Sequence, residues 1–185
     1  MKVVRKQTID TELFELGDEI RFKLKTGEKV RAKAVQECED GMLFITKNCV
    51  GKEMPMYENP SEEYLDYLHS DLRKYLNTEL ILAFPEKIRS RMFPMMIEDS
   101  YGDYLRIPTE KEIFGRSMGE SYTNQFYGMK HFRNRIATDG KDELEWYWLQ
   151  NNVSDACFAL VDDSGYADYG YASHSNGIRP VFLLS

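Results

Sequence analysis

A chain of 185 residues with 42% hydrophobic and 30% charged content can bury one domain-sized core without disulfide or metal staples. Its 24 basic and 31 acidic residues give a net charge of −7, which argues against nucleic acid or an anionic membrane as the partner, because both attract a net basic face. No apolar run approaches the roughly 20 residues of a membrane span, and the three cysteines, Cys38, Cys49 and Cys157, lack metal-ligand spacing. Free thiols in a reducing, cytoplasmic setting are expected, with no cofactor and no metal.

In chain order, residues 1–14 read as a lead-in and Gly17-Asp18 as a turn. Ile20, Phe22 and Leu24 alternate with Arg21, Lys23 and Lys25, and Val30, Ala32 and Ala34 alternate with Arg31 and Lys33. Period two is the mark of half-buried strands. With turns at Thr26-Gly27 and Asp40-Gly41 and a third strand from Met42 to Thr46, the segment is expected to form an antiparallel meander. Its outer face would carry Arg21, Lys23, Lys25, Arg31 and Lys33, either as a docking surface for an acidic partner or as a solvated face that deters edge pairing.

Residues 47–60 read as a loop. Apolar residues at spacings of three and four predict helix over 61–84, capped by Ser61 or re-started at Ser70, and closed by Pro85. His69 is expected at its surface. Met92, Met95 and Met96 suggest core filler. Thr109 and Glu112 have the spacing of a capping box, and Gly115 can end the short helix that follows. Residues 116–143 are rich in turn formers and predict a long irregular segment. Three apolar runs close the chain, Trp146–Gln150, Ala156–Val161 and Gly177–Leu184, and they predict a late sheet onto which the rest packs. No repeat or linker interrupts the chain, so a single domain over 1–185 is expected.

Leu72-Arg73-Lys74-Tyr75-Leu76-Asn77, Pro108–Glu112, Trp146-Tyr147-Trp148-Leu149-Gln150 and Gly177-Ile178-Arg179-Pro180 together resemble a bacterial and phage-borne domain family whose role is uncharacterised. That family carries L-R-x-x-L-N, a capped turn, W-W-L-R and G-[VI]-R-P. The arrangement is also similar to the C-type-lectin-like fold without calcium, whose relatives include formylglycine-generating enzymes and the variable proteins of diversity-generating retroelements. The resemblance implies an α+β domain with an N-terminal meander, one or two helices, an irregular segment and C-terminal strands. It also implies a ligand-facing loop surface near those strands. Gln150 stands where the family has Arg, and it forfeits the charge-assisted bidentate bonds an arginine would make.

Trp146, Trp148 and Arg179 are expected to be structural. Arg179, in a buried segment beside Pro180, needs an internal salt bridge, a carbonyl clamp or a ligand carboxylate, and Pro180 predicts an edge or bulge. The Tyr, Ser, Gly and Asn content of residues 162–176 suits a binding loop, with Tyr166, Tyr169, Tyr171, His174 and Asn176 as ligand contacts and Gln150 and Asn152 nearby. The calcium-loop spacing is absent. A nucleophile pairing Cys157 with His174 or His131 lacks an orienting third group. The sequence therefore favours a non-catalytic module that binds a protein or glycan. An enzyme of the formylglycine-generating type and a structural or assembly subunit are the alternatives.

Overall fold

A computed structural model describes residues 13–60, 65–97, 101–116 and 124–185. Residues 1–12 of the lead-in and the Ser61 cap lie outside the described residues. The architecture is α+β, mostly antiparallel, with few and short helices.

The meander forms as the alternation predicts. Strands β1 (Glu19–Lys23), β2 (Lys29–Cys38) and β3 (Gly41–Thr46) pair antiparallel in sequence order. The alternation of burial breaks at Ala34 and Val35, neighbours on opposite faces that are both buried, and a register shift against β3 falls between Ala34 and Gln36. The sheet then gains a strand the sequence placed elsewhere. β12 (Val181–Leu184) pairs with β3 on one side and with the two-residue β4 (Met92–Phe93) on the other, giving the order β1-β2-β3-β12-β4.

The expected single late sheet is thus corrected. Its first two runs form β9 (Tyr147–Ser154) and β10 (Cys157–Val161), which pair with β11 (Ala167–Tyr171) in a separate three-stranded sheet. The third run belongs to the N-terminal sheet and is buried on both faces there. Pro180 marks neither an edge nor a bulge. It precedes a central strand, where its carbonyl accepts from Thr46 N at 3.0 Å and its missing N–H costs no ladder bond.

Helix begins later than the spacing suggests. Ser70 caps α1 (Asp71–Tyr75), its hydroxyl accepting from Arg73 N. The run continues as a π turn over Leu76–Leu80 and ends in α2 (Ile81–Ala83). Leu65 and Tyr67 upstream are buried outside any helix. Pro85 ends the run, with Phe84 already extended at ψ 141°. A single turn of helix, α3 (Glu86–Arg89), follows. Met92 and Met95 are core, whereas Met96 faces solvent in β5 (Met95–Ile97), which pairs with β6 (Tyr101–Asp103). The capping box at α4 (Glu110–Phe114) forms in both directions, and Gly115 closes the helix at φ 75°. Residues 124–145 are irregular apart from one 3-10 turn and the two-residue pair β7 (Ala137–Thr138) and β8 (Leu144–Glu145).

Two cores result, one on each face of the large sheet. Phe22, Phe44 and Phe182 face Leu72, Leu76, Leu80 and Phe84 of the helical run, and the rings of Phe44 and Phe182 stack at 5.9 Å. Leu43, Ile45, Val181 and Leu183 face the other way, against Tyr147, Leu149, Ala159 and Val161. Strands β3, β10 and β12 serve both cores, which is why they read as unbroken apolar runs.

Candidate functional site

The β10–β11 hairpin presents most of the candidate residues. Asp162 Oδ1 accepts from Ser164 N at 2.9 Å and Tyr166 N at 2.7 Å, an Asx turn that projects Tyr166 into solvent. In β11, Gly170 faces the core. A Cβ there would sit 2.9 Å from Leu160 Cδ1 and 3.5 Å from the Trp148 ring, so only glycine lets the strand approach this closely. Strand alternation then turns Ala167, Tyr169 and Tyr171 to the opposite face. Tyr166, Tyr169 and Tyr171 are 61%, 62% and 58% exposed. The His174 ring stands edge-on to Tyr171 at 5.4 Å, and its backbone N donates to Tyr171 O.

β11 is the edge strand of its sheet, and ladder alternation leaves the backbone groups of its odd-numbered residues open. Asp168 Oδ1 accepts from Tyr169 N at 2.8 Å, and Tyr171 O is taken by His174 N. Part of the edge is therefore already occupied, which disfavours the addition of a further strand.

The remaining expected contacts bond inward. The Gln150 amide donates to Ile107 O at 2.6 Å, and the Asn152 amide donates to Leu65 O. Asn176 exchanges backbone hydrogen bonds with Met54. Gln150 thus ties β9 to the loop before α4 with no carboxylate to neutralise. Trp148 is fully buried and donates to Met54 O at 2.9 Å, whereas Trp146 is 37% exposed. Arg179 is a carbonyl clamp. Nε donates to Thr46 O, Nη1 to Arg135 O and the Tyr147 hydroxyl, and Nη2 to Asn134 O.

The nucleophile pairings are not assembled. Cys157 is buried in β10, and among the described residues no hydrogen bond joins it to a histidine. His131 lines a separate cleft with Tyr127 and Lys130. No cluster of three or more metal-ligating side chains occurs among the described residues. Among the carboxyls raised by burial, Glu145 moves furthest. Burial, with Glu53 alongside, pushes the Glu145 carboxyl up to about 7 against the opposing hydrogen bond from Cys49. Burial pushes the Cys49 thiol well up, so it stays protonated and inert.

On the meander, Arg21 and Arg31 both bond Glu19, at 2.8 and 2.9 Å, and Lys47 approaches it at 3.5 Å. The hydrogen bond from Arg31 leads in holding the Glu19 carboxyl down at about 2. Lys33 lies over the Tyr127 ring at 5.5 Å, and Lys23 and Lys25 are exposed. Sequence reasoning passed over Glu19 and Lys47, although their positions two residues from Arg21 and Ile45 put them on this same face.

The profile of one protein family matches residues 40–185, from the β2–β3 turn through both C-terminal motifs. The chain belongs to this family, described as Domain of unknown function DUF6273. The DUF6273 match takes in the tyrosine hairpin and Arg179, while β1 and β2, with Arg21, Lys23, Lys25, Arg31 and Lys33, precede it. No curated protein and no solved structure matches the chain.

Proposed function

We propose that the protein is a non-catalytic binding module of C-type-lectin-like type, taking a protein or glycan ligand on Tyr166, Tyr169, Tyr171 and His174. One observation carries this reading: Tyr169 and Tyr171 are more than half exposed on the face of β11 opposite Gly170, which is pinned to Trp148 and Leu160, and Tyr166 is equally exposed at the turn beside them. Tyrosines on a rigid strand offer amphipathic contact area at low entropic cost. The lectin-like assignment rests on the motif resemblance and on the position of this hairpin beside the C-terminal strands. A bacterial or mobile-element setting rests on the same resemblance. A reducing compartment rests on Cys38, Cys49 and Cys157, which are all free thiols. No helix among the described residues is long and apolar enough to cross a membrane.

A second reading, an acidic partner or assembly contact at Arg21, Lys23, Lys25, Arg31 and Lys33, is favoured by the excess of cations there. Arg21, Arg31 and Lys47 share the carboxylate of Glu19.

A thermal-shift screen against glycans and peptides tests the first reading. A ligand that raises the melting temperature of the wild type, and leaves Tyr169→Ala and Tyr171→Ala unshifted, is the expected result. A ligand that shifts all three proteins equally sits elsewhere and overturns it.

A further inference from the structure

Among the described residues Arg106 and Arg179 are buried and Arg73 largely so, and their partners differ. Arg73 holds Asp103 through Nε and Nη2 at 2.6 and 2.8 Å. Arg106 holds Glu112 through both terminal nitrogens at 2.8 and 2.6 Å. Arg179, 3% exposed, bonds only neutral acceptors, three carbonyls and one phenol, with the Tyr147 ring 5.2 Å from its guanidinium carbon. Among the described residues no carboxylate lies within ion-pairing distance of it. A buried guanidinium without a counter-charge is costly, and carbonyl dipoles only partly offset that cost.

Arg179 lines a recess of about 140 Å³ between the end of β3 and the 129–136 segment. Lys33, Lys47 and Arg133 line the same recess, together with Asn48 and Asn134, and no carboxylate does. Lys47 reaches Glu19 outside it, whereas Lys33 rests on the Tyr127 ring and Arg133 on the Phe132 ring at 5.9 Å, and neither forms an ion pair among the described residues. Four cationic side chains line one small space, with only Lys47 ion-paired among the described residues, and so focus a positive field there.

We propose that this recess binds a phosphate-class oxyanion. Size fits: at about 30 Å³ per water, the space holds roughly four or five waters or one such group. Donor geometry selects the shape. Four of the five guanidinium N–H donors of Arg179 are spent on protein acceptors, leaving one on Nη2. A planar carboxylate gains most from a two-donor fork, and that fork is closed. A tetrahedral oxyanion instead takes single bonds from several directions, and Lys33, Lys47 and Arg133 bring separate charges to the lining beside Arg179. None of the four hairpin residues proposed to hold the protein or glycan lines the recess, so the two proposals stand or fall separately.

Calorimetric titration at low ionic strength tests the inference, with inorganic phosphate, a simple phosphate monoester and acetate as probes. Lys33→Ala and Arg133→Ala remove lining charges without touching the core, and Lys25→Ala serves as a distant control. The expected result is saturable binding of inorganic phosphate or of the monoester at one per chain, with acetate at least about tenfold weaker. Lys33→Ala and Arg133→Ala should each weaken the phosphate class by about tenfold, and Lys25→Ala should leave it unchanged. If the monoester binds tighter than inorganic phosphate, the natural ligand is a phosphorylated molecule; the reverse order identifies the free ion. Arg179→Lys should abolish binding, and because that change disturbs a clamp, the two surface variants carry the test. No saturable heat from either phosphate, equal affinity for acetate, or binding that survives Lys33→Ala and Arg133→Ala together overturns the site.

Discussion

Gly177 shows most directly how a single position is constrained. A Cβ there would lie 2.5 Å from Cys49 Sγ and 2.7 Å from Glu145 Cδ, so a buried thiol and a carboxyl close over this backbone. Gly177→Ala should destabilise by about 1–3 kcal/mol through overpacking, read as a lower urea midpoint at unchanged slope. Glu145 makes stability depend on pH. With its folded value raised from 4.5 to about 7, the native state holds this proton more tightly than the unfolded chain. Its contribution is fully present below the unfolded value and is lost as pH rises through the folded one. The melting temperature should therefore fall between pH 5 and pH 8 by more in the wild type than in Glu145→Gln, in a series of thermal melts. Equal slopes would remove Glu145 as the source. The motif Gly177-Ile178-Arg179-Pro180 was legible in the sequence as a motif, and the need of Arg179 for a buried partner was legible too. Its partners were not, because the carbonyls of Thr46, Asn134 and Arg135 carry no side-chain signature.

At the scale of elements, the helical run from Asp71 to Ala83 is held by polar clasps as much as by its apolar stripe. Arg73 binds Asp103, and Asn77 accepts from Tyr104 N and Leu105 N while donating to Leu105 O. Removing one partner of a buried pair strands the other charge, so Asp103→Ala should cost about 3 kcal/mol in denaturant unfolding. Thr109→Ala at the α4 cap should cost only about 1 kcal/mol. A ranking with the cap change larger would contradict this division of roles. The meander and the capping box were legible because both are local patterns, period two in one case and a three-residue spacing in the other. The helix start was misjudged because Leu65 and Leu68, which extend the apolar stripe, lie outside any helix and yet pack against the same core. The placement of β12 between β3 and β4 was not legible at all. A run of Val181-Phe182-Leu183-Leu184 marks two-sided burial, but nothing in it names partners so distant in the chain, Phe44 on one side and Phe93 on the other.

Across the whole molecule, two cores share strands β3, β10 and β12, so the rigid body is fixed by residues remote from the tyrosine face. That face is peripheral to both cores, and changes there should leave stability within about 0.5 kcal/mol. Its tyrosines were legible from loop composition, whereas the cationic recess was not, since Lys33, Lys47, Arg133 and Arg179 come from four separate stretches of chain. The most direct test of the binding-module account compares wild type with the Tyr169→Ala, Tyr171→Ala double variant on a glycan array and in capture from cell extract, after both show the same melting temperature. The account predicts a defined ligand retained by the wild type and lost by the double variant. Equal retention by both proteins would contradict it and move the binding surface off the hairpin.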